Sequence, residues 1–288
     1  MIQFRSDREI SEMRKAGLLI WQAHQIAAEM VRPGVTTREI DDRVAAFFRE
    51  HDVVPLFKNY PNSQKGKRPF PAVTCISINE EVVHGIAGPR QLREGDIVSI
   101  DTGCKRAGWC ADAAVTHPVG EVSPEVRKLL DVTRKVLGLA IDLMGKKQYW
   151  SEVAEEMAAF VAKAGFSTVE EFVGHGVGRE MHEDPQVPNY PSPQLKKRNG
   201  NFPLRPGLVI AVEPMVNVGT KRVKLLADDW TMVTKDGKPS AHFEHTIAVT
   251  RNGPRILTAP PAPEEPEWIE WGRERLRPPD AWPRHVTW

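Results

Sequence analysis

The sequence predicts an α+β fold of two like halves, each a helix pair followed by antiparallel strands, with the two curved sheets merged and the helices on the outer face. Residues 92–101 (Leu-Arg-Glu-Gly-Asp-Ile-Val-Ser-Ile-Asp) and 204–213 (Leu-Arg-Pro-Gly-Leu-Val-Ile-Ala-Val-Glu) read almost alike, each a turn and an apolar strand closing on a carboxylate. A pair of amphipathic helical patterns precedes each copy. In the second helix of each pair the apolar residues fall at the same offsets: Ile40, Val44, Phe47 and Phe48, then Val153, Met157, Phe160 and Val161. Either half alone would leave one sheet face bare, and packing the two together buries both.

The elements follow in order. Ser6-Asp7-Arg8-Glu9 has capping-box spacing and opens a helix from Ile10 to about Val31, which Pro33-Gly34 breaks. Thr36-Thr37-Arg38-Glu39 caps the second helix. Ser99 to Gly103 and Trp109 to Ala113 read as strands joined by a hairpin turn over Cys104–Gly108. The second half, 123–258, repeats the plan of the first, 6–122, with a helix from Leu129 to Met144 that Gly145 ends. A basic insert, Gln64-Lys65-Gly66-Lys67-Arg68, and a Pro/Asn-rich segment from Pro188 to Phe202 read as surface loops. Residues 1–258 therefore form one catalytic-size domain. Residues 259–288 form a Pro/Trp-rich tail, with polyproline II expected from Ala259 to Pro266 and Trp268, Trp271, Trp282 and Trp288 covering the body as a strap.

Composition narrows the function classes. A net charge of +1 gives no global attraction to nucleic acid or membrane, so neither is expected as a partner. Three cysteines without CxxC spacing argue against a disulfide framework or a structural zinc site. With no apolar signal core at the start and no long apolar run, a cytoplasmic home is expected.

The chemistry concentrates on carboxylates. A carboxylate at the end of an apolar strand is costly to bury unless something binds it. Asp101 and Glu213 close such strands, Asp112 lies in the strand across the hairpin from Asp101, and Glu244 opens the strand leading to Ile247-Ala248-Val249. His175 sits in Gly174-His175-Gly176-Val177-Gly178, whose glycines permit close backbone approach. Singly, each reads as a cap or a turn residue. Converging, the four carboxylates would repel one another unless cations were present, and two divalent ions balance their charge. Oxygen-rich ligation with one imidazole favours Mn, Fe(II) or Co, with zinc also compatible.

From about Ser6 to Thr258 the chain resembles the type I methionine aminopeptidases of the pita-bread metallopeptidase family. The resemblance rests on Cys75–Glu80 through Val83–Ile86, Ser99–Thr102, Gly174–Gln186, Val212–Asn217 and Phe243–Thr246. It implies a pita-bread fold and metal ligands at Asp101, Asp112, His175, Glu213 and Glu244. Asp112 and Glu244 would bridge both ions, Asp101 would hold one, and His175 with Glu213 the other. It further implies substrate contacts from His84 and His182, and hydroxide attack on the carbonyl after the first residue. Glu213 would carry the proton to the leaving amine. Cys75, Met181, Trp230, Phe70 and Tyr60 would form the methionine pocket, soft and aromatic walls suiting a thioether. Partners would be peptide and nascent-protein N-termini, met by a monomer, with any ribosome contact made through the lysines around Lys65 and Lys196.

Departures from the family pattern are the basic insert, the C-terminal tail, and Ala113-Ala114 after Asp112 where hydroxyl residues are usual. The insert should disturb the placing of Tyr60 and Phe70, and the alanines should remove hydrogen bonds behind Asp112. Two other readings compete. One is a proline-specific aminopeptidase of the same fold, disfavoured by the catalytic pattern starting almost at Met1. The other is a non-catalytic pita-bread binding protein, disfavoured by retention of all five ligands.

Overall fold

The computed structural model describes residues 1–196, 200–262 and 265. Helix α1 spans Asp7–Met30 and α2 Thr37–Glu50, and each opens on a full capping box, Ser6 with Glu9 and Thr36 with Glu39. The second half matches closely: α3 spans Pro124–Met144 and α4 Trp150–Lys163. Helix α3 starts a turn earlier than the apolar pattern predicts, because Ser123 caps it and Pro124 takes the first position, where no N–H is needed. In α4, Phe160 of the expected apolar face is only half-buried, whereas Val153, Met157 and Val161 are buried.

The main sheet has nine strands, and every pairing is antiparallel. They are β1 (Val54–Pro55), β2 (Thr74–Ile78), β3 (Ile97–Arg106), β4 (Trp109–Pro118), β5 (Gly174–Gly176), β6 (Glu183–Val187), β7 (Val209–Val212), β8 (Glu244–Thr250) and β9 (Gly253–Ile256). The order is β1-β3-β4-β8-β7-β5-β6, with β2 on β3 and β9 on β8. The repeated strands β3 and β7 thus lie symmetrically outside the central pair β4 and β8, as a duplication requires. Strands β3 and β4 run on to Arg106 and Trp109, so the hairpin turn is only Ala107-Gly108 rather than Cys104–Gly108. Both residues have positive φ, 49° and 78°, the backbone that matches a two-residue turn to strand twist.

The two halves have separate cores. One joins α1 and α2 to β2–β4 through Ile40, Phe48, Ile76 and Ile100; the other joins α3 and α4 to β7 and β8 through Leu129, Trp150, Ile210 and Ile247. A third cluster with Met13, Trp109, Val209 and Leu257 packs between them. The Pro188–Phe202 segment is not simply a surface loop. Trp150 donates through Nε1 to the Pro188 carbonyl (2.8 Å) and stacks on Phe202, which is buried.

Helix α1 lies against the chain that leaves β9. A Cβ added at Gly17 would stand 2.0 Å from the Leu257 carbonyl oxygen, so Gly17→Ala must push α1 away from the sheet. Overpacking of this kind costs about 1–3 kcal/mol, so the melting temperature should fall by about 2–10 °C. An unchanged melting curve would show that the helix can shift at no cost. Beyond Thr258 the chain is fixed by Arg14, which donates to the carbonyls of Leu257, Ala259 and Pro260 and pairs with Glu265 at 2.9 Å. The four tail tryptophans lie outside the described residues.

Candidate metal centre

Strand pairing alone assembles the carboxylates. Asp101 of β3 lies opposite Ala114 of β4, and Asp112 lies opposite Gly103, so both carboxylates fall on one face of the hairpin. Glu244 of β8 also pairs with Ala114, from the other side. Ala114 therefore stands between two carboxylates on neighbouring strands. Glu213 follows the end of β7, and His175 occupies the middle of β5. The glycines beside His175 allow a close approach, but to neighbouring strands rather than to a ligand. A Cβ at Gly174 would meet the Ala211 carbonyl at 2.2 Å, and one at Gly176 the Asp184 carbonyl at 2.1 Å.

His175 Nδ1 lies 3.0 Å from the Gly176 carbonyl, an acceptor only, so Nδ1 carries a proton. Its Nε2 is then turned to Asp112 Oδ2 and Glu213 Oε1, each 3.5 Å away. Ligand atoms of Asp112, His175 and Glu244 all lie within 4.8 Å of one another. Burial raises the carboxyl pKa values of Asp101, Glu213 and Glu244 well above the usual carboxylate range, and their mutual repulsion adds to it. Burial also raises Asp112, against the opposing pull of His175 and the Thr246 hydroxyl. Asp101 Oδ1 is buried without a hydrogen-bond partner, a costly arrangement for a carboxylate. Two buried carboxylates, Asp112 and Glu244, two half-buried ones, Asp101 and Glu213, and the His175 imidazole, with one Asp101 oxygen orphaned, form a donor set that fits divalent cations.

Ala113-Ala114 does not leave Asp112 unsupported. From the adjacent strand Thr246 Oγ1 accepts from Asp112 N (3.1 Å) and shares its one proton between the Asp112 carbonyl (2.8 Å) and Oδ1 (3.0 Å). Ala113 points away, beneath α1, where its carbonyl lies 2.8 Å from His24 Nε2.

The carboxylates floor one end of a cavity of about 300 Å³, and every residue expected to contact substrate lines it: His84, His182, Cys75, Met181, Trp230, Phe70 and Tyr60. His84 has φ 60°, a left-handed backbone, and Gly85 fits beneath the Ile76 carbonyl where no Cβ could. The His84 ring meets Phe172 edge-on at 5.2 Å, and burial lowers its pKa to about 4. The His182 ring lies 4.3 Å from that of His175, and burial chiefly, then His175 and His84, bring its pKa to about 3. Burial pushes the Cys75 thiol well up, so it lines the wall as a neutral apolar group.

The basic insert leaves the pocket residues in place. Phe70 N donates to the Tyr60 carbonyl (2.9 Å) and Asn59 N to that of Phe70 (2.8 Å), closing a neck below the insert. The insert is bolted to Asp229 and Trp230 by two contacts, Trp230 Nε1 donating to the Arg68 carbonyl (3.0 Å) and Lys67 pairing with Asp229 (2.8 Å), and just before it Asn62 Nδ2 donates to the Asp229 carbonyl (3.0 Å). Sequence reasoning missed His242, buried with Nε2 3.9 Å from Glu213 Oε2, and Thr246. The signal for Thr246 was available, since it lies two residues beyond Glu244 and shares its face.

Comparison with known proteins bears on this site. The family described as metallopeptidase family M24 matches residues 11–251. The chain is 43% identical over 258 residues to methionine aminopeptidase 1 of Bacillus subtilis, covering 90% of this chain and 99% of the relative. It is 44% identical to a methionine aminopeptidase of Clostridium perfringens, again over 90% and 99%. Among solved structures it is similar to methionine aminopeptidase from Thermotoga maritima, with a TM-score of 0.82, 41% identity, and 90% and 99% coverage. Prolidase from Pyrococcus horikoshii shares the fold at a TM-score of 0.69 and 22% identity, with 64% of its length covered. The architecture is the pita-bread fold common to these structures.

Proposed function

The chain belongs to metallopeptidase family M24, and on that premise we propose that it is a metal-dependent aminopeptidase that removes N-terminal methionine from peptides and nascent proteins. The observation that carries the reading is one cavity with a carboxylate floor and soft, aromatic walls. Asp101, Asp112, His175, Glu213 and Glu244 would hold divalent metal, two ions matching the four carboxylate charges, with Mn, Fe(II) and Co favoured by the donor set and zinc compatible. Bound there, such ions supply Lewis acidity and make hydroxide available near neutral pH.

The protein's own groups do the rest. The walls formed by Cys75, Phe70, Met181, Trp230 and Tyr60 seat the methionine side chain. His84 hydrogen-bonds the scissile amide, and His182 donates to the carbonyl oxygen as it gains charge. Glu213 takes the proton from water and delivers it to the leaving amine. Residues 1–258 serve as one catalytic domain acting as a monomer in the cytoplasm. No helix among the described residues is long and apolar enough to cross a membrane. Any ribosome contact would use the lysines around Lys65 and Lys196, and Lys65 on the insert is exposed.

The test is release of free methionine from Met-Ala-Ser by chelated protein titrated with Mn, Co and Fe(II), beside Ala-Pro-Ala and an Asp101→Ala variant. Metal-dependent methionine release that the variant lacks is expected. Faster cleavage of Ala-Pro-Ala would indicate a proline-specific peptidase, and inertness of folded protein with every metal would indicate a binding protein.

A further inference from the structure

We infer that Tyr60 is a positioning residue for His182: its phenol fixes the imidazole tautomer so that the Nε2 proton is the one offered to the substrate. The inference rests on the aminopeptidase reading above and names a residue that acts through another. Tyr60 Oη lies 2.7 Å from His182 Nδ1, a short and direct contact. The two rings also meet edge to face, with centroids 5.3 Å apart and planes at 83°. The ring of His182 is thus held in both position and rotation.

A phenol is a better donor than acceptor toward a neutral imidazole nitrogen, so Tyr60 gives its proton to Nδ1 as a hydrogen bond. The neutral ring must then carry its own proton on Nε2, where it can donate to a ligand in the cavity. Without Tyr60 either tautomer is open to the ring, and the one with the proton on Nδ1 offers a lone pair to an electron-rich carbonyl. Tyr60 can do this because its backbone is fixed twice. Its N–H donates to Phe57 O at 2.9 Å and its carbonyl accepts from Phe70 N at 2.9 Å. The second of these closes the neck of the basic insert, so the insert begins just beyond a residue that orients His182.

Tyr60→Phe keeps the ring and removes only the hydroxyl. With Mn-loaded protein and Met-Ala-Ser, kcat should fall at least about fivefold while KM stays within about twofold, because only the Nε2–H fraction of His182 can donate. Long-range proton–nitrogen NMR of zinc-loaded, 15N-histidine-labelled protein should show His182 as the Nε2–H tautomer in the wild type and as a mixture in Tyr60→Phe. His182→Ala should lose more in kcat than Tyr60→Phe, and Tyr60→Phe added to it should cost little further. A kcat in Tyr60→Phe within twofold of wild type, or an unchanged His182 tautomer, overturns the inference. The NMR readout needs no turnover, so it stands apart from any failure of the aminopeptidase reading itself.

Discussion

Asp101→Asn is expected to raise the melting temperature of the metal-free protein while lowering metal-dependent methionine release by at least about 10³-fold. The loss follows from ligation. Giving up one metal carboxylate forfeits several kcal/mol of charge stabilisation, and each 1.36 kcal/mol is about tenfold in rate. The gain follows from the same burial. Asp101 is held well above the usual carboxylate range by burial and by Asp112, and one of its oxygens has no partner. A carboxyl whose folded pKa is raised favours the folded state below its unfolded pKa and loses that contribution as pH rises through the folded value. Metal-free wild type therefore carries its greatest burden at alkaline pH, and the asparagine variant is relieved of part of it there. In chelator at pH 8 the variant should melt about 2–6 °C higher, and at pH 4 the difference should close. A variant less stable than wild type at pH 8 would mean that Asp101 is satisfied without a cation. The same linkage requires metal binding to release protons, which calorimetry in buffers of different ionisation heat would count.

Much of this arrangement was legible before any coordinates. The twin Leu-Arg-x-Gly segments announced the duplication because a two-fold sheet repeats its turn chemistry along with its apolar strand. The capping residues Ser6 and Thr36 marked helix starts because an N-cap hydrogen bond is local in sequence. Four of the five candidate ligands stood out as carboxylates within or beside apolar strands, where a charge needs a partner, and the family resemblance joined His175 to them. What escaped depended on contacts between distant segments. That Thr246 replaces the hydroxyls missing at Ala113 and Ala114 requires knowing that β8 lies beside β4. That the basic insert leaves Tyr60 and Phe70 undisturbed requires seeing the neck between them and the bolt to Asp229 and Trp230. The burial of Phe202 within a Pro/Asn-rich segment reflects Trp150, a residue of the preceding helix. Composition marks such a segment as loop, and only packing shows which of its residues face inward.

His84→Ala should lower kcat on Met-Ala-Ser by about 10²–10³-fold, with the pH at which activity falls on the acid side left where it is. The ring owes its place to an unusual backbone. A histidine at φ 60° is held there by the flanking chain, with Gly85 pressed against the Ile76 carbonyl and its N–H donating to the Ser77 hydroxyl at 3.1 Å. The side chain then projects into the cavity with Phe172 and Trp230 at its edges, which fixes its rotation without using its nitrogens. Burial keeps it neutral, with a pKa near 4, and His182 is kept neutral in the same way near 3. Between pH 6 and 9 neither imidazole changes charge, so each contributes a fixed hydrogen bond rather than a titrating one. Removing one should scale the rate by the same factor across that range. Metal affinity should hold, because His84 is not among the proposed ligands, and the melting temperature should change little, because alanine relaxes the left-handed position no more than histidine does. A loss of activity confined to one end of the pH range would instead make His84 a proton carrier, and Glu213 would then have to give up that role.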